Sequence, residues 1–271
     1  FSQRHVLSLS GGSKALQVYT SLMYSDQKGI VIGDGRTDYS GRMNAKFKAF
    51  DGKVEVMMKA QFRQTDRDRR NGSSSFQQAL TLNPTIPVMN PTNPAKYNVN
   101  SLGVGGTSWN PVADIELQDF KGTDKWLQAD ATLKINLTDA LALQGTMGVD
   151  QRQYQRYTYL HQEHLSCITA NRRGYATHSF SKTDNKSFEA YLSYLRDFNN
   201  LHRMDAVAGW SFYETNGEAF DMANGNFTVD GIGPWDMGAG TDLSDGKASM
   251  GSGKDPRQRL LSLFARGSYS Y

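Results

Sequence analysis

The chain has 271 residues, 38% of them hydrophobic, with a formal net charge of +3 from 30 basic and 27 acidic side chains and a single cysteine; its mean hydropathy is -0.58. No run of about eighteen apolar residues exists, which excludes helical membrane spans, and the balanced charge excludes a nucleic-acid surface. The lone Cys167 excludes an internal disulfide.

The first alternating run, Arg4 to Ser10, sets His5, Leu7 and Leu9 on one face and ends at Gly11-Gly12-Ser13. A second, about Ala15 to Ser25, carries Leu16, Val18, Thr20, Leu22 and Tyr24, and residues 26–38 then form a connection containing Gly29, Gly33 and Gly35. From Tyr39 to Phe62 the pattern is written twice. Tyr39, Gly41, Met43, Ala45, Phe47 and Ala49 alternate with polar residues, and after Asp51-Gly52 so do Val54, Val56, Met58, Ala60 and Phe62. Asp-Gly between two period-two runs predicts a hairpin, because both residues tolerate positive φ. Each arm is about eleven residues, the length of a strand tilted across a bilayer rather than the roughly five or six of a soluble strand.

Residues 64–123 are polar and hold five of the seven prolines, Pro84, Pro87, Pro91, Pro94 and Pro111. The basic run Arg67-Asp68-Arg69-Arg70 at its start contains its own acid and reads as a solvated loop. Alternation resumes at Trp126 with Leu127, Ala129, Ala131, Leu133, Ile135 and Leu137, turns at Thr138-Asp139-Ala140, and returns through Leu141, Leu143, Gly145, Met147 and Val149. After a connection over 155–185, Phe188, Ala190, Leu192 and Tyr194 pair with Met204, Ala206, Ala208, Trp210 and Phe212 around Asn199-Asn200. A connection over 215–256 leads to the last run, Leu261, Leu263, Ala265, Gly267, Tyr269 and Tyr271.

About nine strands result, and tight turns alternate with long connections. In an up-and-down antiparallel sheet this places every turn at one rim and every long loop at the other, the plan of an outer-membrane barrel. A Lys or Arg facing lipid near the midplane costs roughly 2–4 kcal/mol, and the apolar faces carry none. The opposite faces carry Arg42, Lys46, Lys59, Asp130, Lys134 and Arg203, which are expected to face a wet lumen. Tyr24, Tyr39, Phe62, Trp210 and Phe212 fall at the loop-side ends of the apolar faces, where an aromatic girdle sits; Trp126 is at that level on the opposite face. The fold class is all-β, an antiparallel up-and-down transmembrane β-barrel segment over 1–271, with extracellular loops at about 26–38, 64–123, 155–185 and 215–256. The alternative is a soluble β-rich sandwich acting as a carbohydrate-binding or adhesive module. The chain opens on Phe1-Ser2-Gln3-Arg4 without a leader and closes inside an alternating run, so an internal piece of a longer polypeptide is expected.

Little else carries chemistry. His161-Gln162-Glu163-His164 with Cys167 has metal-ligand types but lacks the spacing and helix of a zinc motif. Gly251-Ser252-Gly253-Lys254 imitates a P-loop, with Asp255 where Ser or Thr is needed and Ala248 in place of the first Gly. Asp242, Asp245 and Asp255 lack the spacing of a calcium loop. Tyr97, Trp109 and Trp235 are loop aromatics that either stack on a substrate or partner or pack the loops on themselves. No catalytic set, metal or cofactor is expected.

Four strings in order, Leu7-Ser8-Leu9-Ser10-Gly11-Gly12-Ser13, Tyr24-Ser25-Asp26-Gln27-Lys28-Gly29-Ile30-Val31, Asn83-Pro84-Thr85-Ile86-Pro87-Val88 and Asn110-Pro111-Val112-Ala113, resemble the barrel of SusC/RagA-type TonB-dependent transporters, with a likeness extending from about Arg4 to Tyr271. The resemblance implies a 22-stranded barrel in the outer membrane of a Gram-negative bacterium. It further implies an N-terminal plug coupled to TonB, which this chain lacks, a SusD-like surface lipoprotein as lid, and import of oligosaccharides or oligopeptides.

Overall fold

The computed structural model describes residues 1–68, 72–98, 109–198 and 201–271. Its wall is a single layer in which every neighbouring pair of strands is antiparallel: β1 (Ser2–Gly12), β2 (Leu16–Lys28), β3 (Gly35–Ala49), β4 (Val54–Asp68), β7 (Gln118–Asn136), β8 (Leu141–Leu160), β9 (Tyr175–Phe198) and β10 (His202–Gly225). The ninth position is shared by β11 (Ser249–Lys254) and β12 (Gln258–Ser270), which lie end to end along β10. Between them stands Pro256, which has no N–H for the ladder, while Asp255 donates its N–H to the Gly217 carbonyl at 2.9 Å. The loops contain a small hairpin, β5 (Met89–Asn90) with β6 (Asn93–Tyr97), and the helices α1 (Gly72–Thr81), α2 (Pro111–Glu116) and α3 (Leu165–Thr169).

The short connections owe their shape to specific residues. Ser13 Oγ accepts from the N–H groups of Ala15 and Leu16, and Thr138 Oγ1 accepts from those of Ala140 and Leu141. Between β3 and β4, Phe50, Asp51 and Gly52 have φ of 52°, 55° and 86°, so the Asp-Gly turn draws in the preceding Phe. A Cβ at Gly52 would meet nothing within 4 Å. The cost of Gly52→Ala is then purely that of the left-handed backbone, about 1 kcal/mol, readable as a lowered urea midpoint of the refolded protein; an unchanged midpoint would contradict the turn geometry. The expected turn at Asn199-Asn200 lies outside the described residues.

Register converts the alternation into rows. On one face Ala45, Met58, Ala131, Met147, Phe188, Phe212 and Leu261 are successive neighbours. The upper edge of this apolar face descends across the sheet. Tyr24 and Tyr39 share a row, Phe62 and Leu127 sit two residues lower, Val149 two lower again, and Phe188, Phe212 and Leu261 two lower still. Six residues at about 3.4 Å each, over seven gaps of about 4.8 Å, is a strand tilt of roughly 30°, close to the roughly 35–45° of membrane barrels. On β4 the band runs from Val54 to Phe62 and on β8 from Leu141 to Val149. Nine residues at that tilt stand roughly 24 Å high, against about 25 Å for the apolar band of an outer-membrane barrel.

Among the described residues this band packs on no second layer. Leu7 is 71%, Met58 51% and Leu263 84% exposed, whereas the buried apolar side chains Trp109, Ala113, Tyr159, Cys167, Ala176 and Phe227 all lie at the loop rim. A bare apolar belt of this size is what lipid covers. The first and last wall positions do not pair with each other.

The strands outrun the band, which corrects the expected loop limits. They reach 15 residues in β3 and β4, 20 in β8 and 24 in β9 and β10. The long connections shrink to 29–34, 69–117, 161–174 and 226–248. Above the band both faces are polar, as with Gln151 and Gln153 on β8 or Lys182, Asp184 and Lys186 on β9, so hydropathy no longer alternates although the hydrogen-bond ladder continues.

Candidate functional site

All six charged residues expected on the polar face share it: Arg42 faces Gln61, Lys59 faces Asn44 and Asp130, Lys46 is level with Met57, Lys134 faces Glu55, and Arg203 stands on the same phase of β10. Among the described residues two of them are ion-paired: Lys46 reaches Glu55 at 2.6 Å and Arg203 stands 3.9 Å from Asp197, while Arg42 donates to the neutral Gln61 at 3.3 Å. Such a face suits water, with each charge hydrated or paired.

Towards the loop rim the polar face changes character. Arg63, Trp126 and Arg152 form one row across β4, β7 and β8. The two guanidinium carbons lie 5.6 and 5.9 Å from the Trp126 ring centre, within cation–π range. Asp150 accepts the indole N–H and the Asn185 amide and lies 3.3 Å from Arg152 Nε. Higher on β8, Arg156 lies over the rings of Phe120 and Tyr154 at 5.3 and 5.0 Å. In the sequence the one sign of this cluster is the phase of Trp126, which is wrong for a lipid girdle because its ring stands on the polar face with the two guanidiniums.

The structure separates the three loop aromatics. Trp109 is 1% exposed, packed edge-on against His164 with ring centres 6.1 Å apart, which corrects the expectation of a substrate or lid contact: its surface is already spent on the loop. Trp235 is 68% exposed, but its neighbours Tyr157, at 5.6 Å between centres, and Lys121 Nζ, at 5.8 Å, stand on the apolar-face phase of β8 and β7. It therefore lies on the outward side of the wall, not beside Trp126. Tyr97 is half-buried at the end of β6, opposite Met89.

The long-loop cluster is architectural. Asn110 caps α2 by accepting from Val112 and Ala113 N–H, and its amide donates to the carbonyls of Val88 and Asn98; Pro111 at the first helical position needs no partner. Asp114 accepts from Ser75 at 2.7 Å and contacts His164 Nε2 at 3.1 Å, so the carboxylate stands between hydroxyl and imidazole, unlike a nucleophile–base pair. His161 lies between Asp119 and Asp230, at 3.0 and 3.3 Å. Burial raises the Tyr159 hydroxyl above its ordinary range, and Asp230, which accepts from it at 2.5 Å, adds to the effect. No group of metal ligands forms among the described residues. Gly251 to Lys254 is extended β11, which cannot curl around a phosphate, and Asp242 is buried against Arg172 at 2.9 Å.

Burial likewise pushes the Cys167 thiol up to about 11 from 9.0. At pH 8 its thiolate fraction falls about a hundredfold below that of an open thiol, so alkylation should be at least that much slower than in urea-unfolded protein. Because the folded form keeps its proton, the linked stability is full below about pH 9 and is lost as pH rises towards 11. Equal labelling rates in folded and unfolded protein would contradict this burial.

No family model matches the chain. It is 22% identical over 265 residues to TonB-dependent receptor P26 of Formosa agariphila, covering 98% of this chain and 26% of the relative. It is also 22% identical over 288 residues to TonB-dependent receptor SusC of Bacteroides thetaiotaomicron, covering 99% and 27%. The chain thus spans about a quarter of the length of the curated relatives it matches. Among solved structures, that of the RagAB peptide transporter superposes on the whole chain and 30% of its counterpart, with a TM-score of 0.80 at 18% identity. The siderophore receptor PiuA of Acinetobacter baumannii covers 99% of the chain with a TM-score of 0.53 at 12% identity. With its one-sided loops, outward apolar band and tilted strands, the chain has the fold of a wall segment of a TonB-dependent outer-membrane barrel and is similar in sequence to receptors of the SusC type.

Proposed function

We propose that this wall belongs to a nutrient importer working with a SusD-like surface lipoprotein and driven by TonB through a plug domain. The polar face lines the lumen, with Arg42, Lys46, Lys59, Asp130, Lys134 and Arg203 along it, and the long connections point outside the cell. Substrate, an oligopeptide or oligosaccharide, is captured between lid and loops and passes the wall once the plug is displaced. The wall itself carries no catalysis. The observation behind this reading is the opposition of an apolar band on one face to a charged and aromatic face on the other, with every long loop on one rim. The RagAB structures, described as those of a peptide importer, favour peptides over glycans.

The test is made with the complete gene. Its deletion should abolish growth on the nutrient it imports, as should deletion of TonB, and affinity purification in detergent should bring down a surface lipoprotein. A detergent-free, monodisperse protein from the same gene would overturn the reading.

A further inference from the structure

Resting on the importer reading, the row Arg63–Trp126–Arg152 points to the class of cargo. On the polar face above the apolar band, Arg36 is held by Asp38 at 2.8 Å and Arg67 by Asp124 at 2.8 Å. Arg63 and Arg156 have no carboxylate within 4.0 Å among the described residues, and Arg152 shares its acid, Asp150, with the Trp126 indole and the Asn185 amide. Positive charge is thus left over where the wall meets the outside. It is not loosely held: the guanidiniums of Arg63 and Arg152 both lie over the Trp126 ring, and that of Arg156 lies over Phe120 and Tyr154 and donates to the Tyr154 hydroxyl.

A guanidinium that stacks on a ring through its flat face keeps its N–H edge free, and that edge matches a carboxylate with two parallel hydrogen bonds. Pre-ordering by the ring lowers the entropy lost when the ligand arrives. Arg63 and Arg152 stand on strands two spacings apart, about 10 Å, roughly the distance between carboxylates three residues apart on an extended chain at about 3.3 Å per residue. We infer that this row is a binding site for a polycarboxylate chain, an acidic oligopeptide or an acidic oligosaccharide, with Arg63 and Arg152 each taking a carboxylate and Trp126 covering the segment between them. Arg156 extends the track towards the loops.

The full transporter, purified in detergent with its lipoprotein, is titrated with hexaglutamate and trigalacturonate and with their neutral counterparts hexaglutamine and maltotriose. One acidic probe should bind at least tenfold more tightly than its neutral counterpart at 50 mM NaCl, and the identity of that probe distinguishes peptide from glycan. The double variant Arg63→Gln/Arg152→Gln should lose at least tenfold in affinity for it, and 500 mM NaCl should erase the difference. Heat-modifiable migration of the variant shows that the barrel has formed. Acidic and neutral probes bound equally, neither bound, or a folded double variant that binds like wild type would each overturn the inference. If TonB-dependent growth persists in such a case, the importer reading stands; if growth never depended on TonB, that reading falls first.

Discussion

Met58→Arg is expected to prevent stable assembly of the barrel, while Met57→Arg, one residue away, leaves it nearly unchanged. Met58 lies midway along the apolar face of β4, between Ala45 and Ala131. Met57 lies on the polar face between Lys46 and Thr132. An Arg at the bilayer midplane of a barrel costs roughly 2–4 kcal/mol and near the interface only about 0–1, a large part of a typical stability of about 5–15 kcal/mol. Phe62→Arg, at the upper edge of the same strand, should therefore cost less than Met58→Arg despite the loss of a ring. Urea unfolding of protein refolded into lipid vesicles measures all three. The depth dependence separates lipid from a protein core, because a core penalises a buried charge wherever it lies along the strand. Equal losses at positions 58 and 62, or at 57 and 58, would contradict the orientation of the wall.

That contrast also shows how much of the molecule was legible in the sequence. The two methionines are chemically identical, and only their phase separates them; period two was enough to assign the faces of β3 and β4, the turn at Asp51-Gly52 and the number of wall positions. It stopped where its physical cause stopped. Beyond Val149 the outward residues Gln151 and Gln153 face water on both sides of the wall, so alternation vanished and strands were read as loop. Trp109 illustrates a different limit. An aromatic among Asn, Pro and Gly looks like an exposed anchor, and only three-dimensional contacts bury it against His164. The Asn110-Pro111-Val112-Ala113 string, taken in the sequence only as a family likeness, carries in its residue types the cap and first turn that the structure shows, an Asn before Pro followed by small residues. The row of Arg63, Trp126 and Arg152 was beyond reach because its members lie far apart in the chain and meet only through register.

Trp109→Ala is expected to unfold the large loop and leave the wall intact. Removing a buried Trp side chain costs about 3–5 kcal/mol through lost transfer energy and the cavity left behind. The site has few means of closing over that cavity, since Asn110 and Ala113 are fixed by the α2 cap and Asp114 by Ser75 and His164. The damage should spread along that network: the His164–Asp114 contact, the Lys96–Glu163 ion pair at 2.5 Å and the His161 N–H to Leu117 carbonyl bond tie residues 89–98 and 109–117 to 161–169. It should not spread into the wall, where each of β2, β3, β4, β7, β8, β9 and β10 is held by a continuous ladder to neighbours on both sides. Hydrogen exchange reads this directly. The amides of Asn98, Leu117 and Ile168, each bonded within the loop cluster, should lose about a hundredfold or more in protection, the loss saturating at the loop's own stability, while Met147 and Ala190 in the band keep theirs. Trp109→Phe, which refills most of the space, should recover most of the protection. If wall and loop amides accelerated together, the loop cluster would be a part of the barrel's cooperative unit and not a separately stabilised platform on its rim.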